Sequence, residues 1–264
     1  MDRQLFGRAS LKNLEDDLLF LESHGLFPEV YLPGEVLDTV GEKDLAPLVK
    51  WRENGNDVSL HAPFMDLSPG GLDPRVLEVT RLRFSQVREI VEIVRPVNVV
   101  FHPGYDRWRF GYQKDLWLNN SLEIWSEVVD WGDKMGSKIL LENVFDVVPD
   151  HLIELKEKIG KPLGFCFDTG HFLLFSDLSL DGWLSAMGDS LAELHLHDNF
   201  GDRDSHLPIG DGIFDFPRLL SELDSKGIAP LIVLEHHSRG ETILSLKKMR
   251  RYLEDQRKNQ DRNR

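Results

Sequence analysis

Short, nearly continuous apolar runs alternate along the chain with longer stretches in which apolar residues recur at helical spacing. The runs Glu29 to Leu32, Asp57 to His61, Asn98 to His102, Lys138 to Asn143, Gly164 to Asp168, Leu191 to His197 and Leu231 to Glu235 are β-branched or apolar and nearly continuous. Such runs suit parallel strands covered on both faces. Between them, Pro74 to Ile93, Leu122 to Met135, Leu152 to Ile159, Phe216 to Lys226 and Ile243 to Leu253 carry helical periodicity. Pro74 and Pro149 mark helix starts, and Gly136, Gly160 and Gly227 mark helix stops. Strand followed by helix implies right-handed βαβ units. Seven strands are legible and Gln4 to Gly7 offers a weaker eighth. In 264 residues this predicts a single-domain (β/α)8 TIM barrel, a fold of typically about 250 residues. The barrel is expected over 1–254, followed by a polar, disordered tail at 255–264.

In that fold the chemistry sits at the carboxyl ends of the strands. Here six successive runs end in, or just before, a residue able to bind a metal: His61, His102, Glu142, Asp168, His195 and Glu235. A strand-end Asp or His often just caps the next helix. Capping does not explain the histidines, nor why Glu142 and Glu235 interrupt "ILLEN" and "IVLEH". A carboxylate buried there costs several kcal/mol unless it is paired or coordinated. Three more candidates come from loops: His171 in "DTGH", and Asp204 and His206 in "DSHLPIGDG", one residue apart and on one side of an extended segment. His197 in "HLH" reads as a neighbour of the site or as structural.

Composition narrows the chemistry. With Cys166 the only cysteine, disulfides within the chain and thiolate metal clusters are excluded, so any metal is held by nitrogen and oxygen. A net charge of -14 opposes general attraction to nucleic acid or anionic lipid. No membrane-length apolar run and no signal-like start are present, so a cytoplasmic location is expected.

The ordered motifs "SLHAPF", "VFHPGY", "LLENVF", "FCFDTGH", "LHLHDN", "DSHLPIGDG" and "VLEHH" resemble the xylose isomerase-like superfamily and, within it, the endonuclease IV branch, the family 2 apurinic/apyrimidinic endonucleases. The resemblance spans about Glu29 to His237. It implies three zinc ions: one held by His61, His102 and Glu142, a second by Glu142, Asp168, His195 and Glu235, a third by His171, Asp204 and His206. It further implies hydrolysis of a phosphodiester, such as that beside an abasic site in DNA, with Glu142 bridging ions and Glu235 orienting the nucleophile. The same superfamily contains sugar and sugar phosphate isomerases and epimerases that use one divalent ion, manganese or magnesium among them, on the equivalents of Glu142, Asp168, His195 and Glu235. Charge separates the two readings. Four carboxylates against three divalent ions leave two positive charges, suited to a phosphodiester, whereas three carboxylates against one ion leave one negative charge, suited to a neutral sugar. Histidine-rich sites favour zinc over magnesium, and imidazole with carboxylate suits zinc or manganese.

For a substrate, the loop "GYDRWRFGYQK" interleaves Arg107, Arg109 and Lys114 with Tyr105, Trp108, Phe110 and Tyr112. Arg107, Trp108 and Arg109 are candidate contacts, with Arg203 beside the loop donors and Phe64 where the endonucleases tend to carry tyrosine. Packing of the loop's aromatics against the next helix is the alternative. The loop after the second strand, "PGEVLD", offers acid and no arginine, which does not suit duplex DNA.

Overall fold

The computed structural model of the chain describes residues 3–262. Eight parallel strands close on themselves in sequence order: β1 (Leu5–Ser10), β2 (Phe27–Tyr31), β3 (Ser59–His61), β4 (Asn98–Phe101), β5 (Lys138–Glu142), β6 (Leu163–Asp168), β7 (Leu191–Leu196) and β8 (Leu231–Leu234). β1 pairs with β8 through Leu5 and Ile232, which completes the (β/α)8 barrel. The weak first run is therefore a full strand. Gly7 and Arg8 break its apolar character, and a Cβ at Gly7 would lie 2.7 Å from Leu21, so helix and strand pack too closely there for any side chain.

The helices are α1 (Leu14–Ser23), α2 (Gly34–Leu37), α3 (Glu42–Glu53), α4 (Pro74–Val94), α5 (Lys114–Met135), α6 (Asp150–Ile159), α7 (Thr169–Phe175), α8 (Leu180–Met187), α9 (Phe216–Lys226) and α10 (Arg239–Arg262). Asp73 caps α4 through the amide of Arg75, with Pro74 in the first turn. Gly136, Gly160 and Gly227 take left-handed conformations and end α5, α6 and α9. The polar stretch from Asp255, expected to be a disordered tail, instead continues α10 to Arg262. Its Gln, Lys and Arg residues are strong helix formers, and Asp255 pairs with Arg251 one turn back and Lys258 one turn on. Residues 263–264 lie outside the described residues. No helix among the described residues is long and apolar enough to cross a membrane.

Large side chains such as Trp117, Trp125, Trp183 and Phe101 fill the space between helices and sheet. Inside the barrel the packing is not wholly apolar. Glu29, Ser59, Asn98 and Glu193 are all buried, and the register sets Glu29 beside Ser59 and Ser59 beside Asn98. This polar layer lies directly beneath the mouth.

Candidate metal centre

Every strand-end residue singled out by the sequence arrives at the carboxyl mouth of the barrel. Glu142, at the end of β5 and almost fully buried, is the hub. Its Oε2 lies 3.1 Å from His61 Nε2, 3.4 Å from His102 Nε2 and 3.5 Å from His195 Nδ1, while its Oε1 lies 3.1 Å from His171 Nδ1. Glu235, just after β8, stands 3.4 Å from His195 Nδ1. Ligand atoms of His61, His102 and Glu142 lie within 4.8 Å of one another, and so do those of Glu142, Asp168 and His195.

Asp168 does two things at once. Its Oδ1 accepts from the amide of His171 and caps α7, the bland role a strand-end aspartate can have, while its Oδ2 accepts from His197 Nε2 at 2.9 Å. The loop donors complete the ring. Asp204 Oδ2 lies 3.2 Å from His206 Nε2 and 3.5 Å from His171 Nε2. All nine residues expected to hold metal thus converge.

Their support is built into the backbone. Asp198 accepts four amide hydrogen bonds, from Asn199, Gly210, Gly212 and Phe214, and its backbone forms a lone antiparallel bridge with Leu207. The loop carrying Asp204 and His206 is thereby tied at its base. Gly212 approaches Asp198 and Asn199 too closely for a Cβ, and Gly210 is left-handed at φ +75. These glycines serve a tight turn. His206 itself is left-handed, at φ 47, a conformation costly for a non-glycine residue.

The electrostatics follow from proximity. Burial opposes ionisation of Glu142, but the charges of His102 and His195, with hydrogen bonds from His102 and His171, outweigh it and hold the carboxyl well below its usual range. Burial likewise disfavours a charged His206, yet the hydrogen bond to Asp204 and the carboxylate of Glu235 raise it to about 9. Asp204 is correspondingly depressed by His171 and His206, against the cost of its own burial. Beneath the centre, His195 Nε2 faces Glu29 Oε2 at 3.0 Å and Glu193 Oε1 at 3.4 Å. Glu193 also accepts from Ser59 and from Asn98 Nδ2 at 2.6 Å. Burial, only partly offset by His195, raises Glu29 to about 7.

These residues fit a metal. His195 Nδ1 is buried without a hydrogen-bond partner while pointing at Glu142 and Glu235. Donors each about 2.0–2.1 Å from one zinc ion are at most about 4.2 Å apart. The separations of 3.1 to 3.5 Å among these carboxylates and imidazoles lie inside that limit.

The substrate candidates divide. A cleft of about 520 Å³ opens over the centre, lined by Phe64, Met65, Arg109, Phe145 and Phe175 together with donor residues. Phe64 also stacks on His102 with ring centroids 4.0 Å apart, so it orients an imidazole as well as walling the cleft. Arg107 faces Asp177 and packs over Trp108, which is 70% exposed; neither residue lines the cleft, and Arg203 is an exposed residue that does not line it either. Tyr105 and Phe110 stack on one another in the interior, as the packing alternative anticipates.

Two residues escaped the sequence reading. Glu193 interrupts an apolar run in "LAELHL" just as Glu142 does in "ILLEN", so a signal was present. Glu29 opens a run in the sequence and gives no such sign. His197, read as a neighbour of the site or as structural, is fully buried, donates to Asp168 and stacks on His206 at 3.8 Å.

A family model described as xylose isomerase-like TIM barrel matches residues 48–257. An uncharacterized protein of Methanocaldococcus jannaschii, MJ1311, is 31% identical over 211 residues, 75% of this chain and 70% of that protein. Among solved structures, a D-tagatose 3-epimerase-like protein superposes with a TM-score of 0.83 at 26% identity, covering 96% of this chain and 99% of its own. The TTHB071 protein of Thermus thermophilus, soaked with zinc chloride, gives a TM-score of 0.82 at 27% identity, over 96% and 98% of the two chains. With the closed barrel and the match over most of its length, the chain belongs to the xylose isomerase-like TIM barrel family.

Proposed function

We propose that this protein is a metal-dependent phosphoesterase whose centre holds up to three divalent ions, zinc above all, and acts on a compact phosphorylated substrate. The observation that carries this reading is the surplus of donors. One ion would be satisfied by Glu142, Asp168, His195 and Glu235, which leaves His61, His102, Asp204 and His206 gathered at the mouth with no equally simple purpose. Bound ions of this kind supply positive charge for phosphoryl oxygens and make water acidic enough to attack near neutral pH. Glu142 serves as the carboxylate shared between ions, and Glu235, half-buried at the cleft floor, as the carboxylate that orients water and takes its proton. Phe64, Phe145 and Phe175 exclude solvent from the cleft, and Arg109 at its edge binds substrate anion.

Duplex DNA is the less suitable substrate within this class. Arg107, Trp108 and Arg203 lie off the cleft, and a chain of charge -14 offers little grip on a phosphate backbone. A second reading, isomerisation or epimerisation of a sugar with a single ion, is favoured by the likeness to a D-tagatose 3-epimerase-like protein at 26% identity. Metal analysis of the freshly purified protein, with parallel assays on bis(p-nitrophenyl) phosphate, an abasic-site duplex and a set of ketoses, tests both. Two to three zinc ions per chain with phosphoester cleavage is expected. One manganese or magnesium with ketose turnover would overturn it in favour of the second reading.

A further inference from the structure

We infer that Glu29, backed by Glu193, positions His195 from beneath, accepting from its Nε2 and so holding the ring in the tautomer and orientation that turn Nδ1 to an ion. This rests on the metal reading above, since His195 is one of its donors, but it assigns a role to residues outside the donor set. His195 Nε2 lies 3.0 Å from Glu29 Oε2 and 3.4 Å from Glu193 Oε1, whereas Nδ1 lies 3.5 Å from Glu142 and 3.4 Å from Glu235. The ring thus stands between two pairs of carboxyl groups, one at the mouth and one below it. A neutral imidazole carries one proton, and the nitrogen that keeps it offers no lone pair to a metal. Only Nε2 has a hydrogen-bond partner, Glu29; Nδ1 is buried and has none. The proton therefore belongs on Nε2 and the free lone pair on Nδ1, facing the other donors.

The carboxyl groups below the ring are themselves fixed. Glu193 stands two residues before His195 on β7, so alternation turns both side chains into the barrel. Ser59 Oγ, on β3, donates across both oxygens of Glu193 at 3.0 Å, and Asn98 Nδ2, on β4, donates to one of them at 2.6 Å. A further hydrogen bond joins Glu193 to Glu29 on β2. Four strands therefore hold one pair of acceptors under one imidazole.

Stability does not account for this layer. Burying carboxyl groups is costly, and well-packed apolar residues of similar volume often serve a core as well or better. Nor can the layer meet a substrate, because Glu29, Ser59, Asn98 and Glu193 are each at most 3% exposed. What it does contact is the ring of His195. An imidazole that gives its second N–H to a carboxyl group is fixed in tautomer and orientation and becomes a more basic ligand. The same ring is stacked on His61 with centroids 5.6 Å apart, so its setting also bears on the neighbouring donor.

The test uses the whole protein, labelled with 15N-histidine and loaded with 113Cd, and reads the ring nitrogens of His195 by NMR. Cadmium coupling at Nδ1 and a proton on Nε2 are expected. Coupling at Nε2 instead would put the ion among Glu29, Glu193 and the ring, which overturns this inference and leaves metal binding intact; coupling at neither nitrogen overturns both. Chelator titration, followed through the cadmium resonance coupled to His195, gives a second readout. Glu29→Leu should weaken that ion by roughly 10–100-fold, the loss typical of an outer hydrogen-bond partner. Glu29→Gln, whose side-chain carbonyl still accepts from Nε2, should restore most of the affinity. If Glu29→Leu binds the ion as tightly as the unaltered protein, or Glu29→Gln binds it no better than Glu29→Leu, Glu29 does not position the ring and the inference fails.

Discussion

The two sides of the centre are built differently. On one side, His61, Glu142 and His195 come from strands and His102 follows one directly, so the closed sheet sets their spacing. On the other, His171 stands in the first turn of α7, while Asp204 and His206 ride on a loop with no regular structure, and Asp204 remains 38% exposed. The strand side inherits its geometry from the barrel, whose pairing would have to be lost to disperse it. The loop side depends on a few local devices: the amide bonds to Asp198, the bridge to Leu207 and the space at Gly170. Rigidity is thus inherited on one side and assembled on the other.

Several changes break or sharpen this contrast, and the largest effect is expected from the shared hub. Glu142→Gln takes a charge from four imidazoles at once; it should leave at most one ion bound and cut phosphoester turnover by roughly 10³-fold, comparable to the loss of a major electrostatic group. Asp198→Ala should separate the sides cleanly. Four amides lose their acceptor, at about 1–3 kcal/mol for each that stays buried and unpaired. Hydrogen exchange should accelerate over 199–214 while the barrel strands stay protected, and zinc content should fall by one. Gly170→Ala overfills the space at His197, at about 1–3 kcal/mol; the loop-side ion should bind more weakly with the far-ultraviolet spectrum unchanged.

A smaller effect is one of pH. In chelated protein the proton on His206 is held up to about 9 against an ordinary 6.5. A group whose folded pKa is raised stabilises the fold fully below its unfolded value and loses that contribution as pH climbs to the folded one. The melting temperature of the chelated protein should therefore decline between pH 6.5 and about 9, and Asp204→Asn, which removes the main hydrogen-bond partner, should flatten the decline. Zinc should suppress it, since metal replaces the proton and releases it to solvent. Smallest of all, Arg109→Ala should raise KM a few-fold, while Trp108→Ala and Arg203→Ala, both off the cleft, should leave it unchanged.

The contrast also explains what could be read from sequence. A strand is a short apolar run, and a charged or imidazole residue at its end stands out, so the strand-side donors and the barrel were legible together. Helices α1, α2, α3 and α8 were not picked out, because short or strongly charged segments such as "LEDDLLFLES" carry weak periodicity. α5 begins at Lys114, well before the expected Leu122, since its first turns pack Trp117 and Leu118 under the aromatic loop. The contacts of His197 were hidden for another reason. In "HLH" alternation sends both rings to one side, and nothing along the chain tells that Asp168 ties up Nε2 and leaves Nδ1 bare. That is a tertiary fact, as is the pairing of Glu29 with Glu193 from opposite parts of the chain.

The single hydrogen that serves as the side chain of residue 170 links two positions far apart in sequence. Any related chain with a bulkier residue there must give up the ring at the position of His197 or unwind the first turn that carries its DxxH histidine. Glycine and histidine at this pair of sites should be gained and lost together.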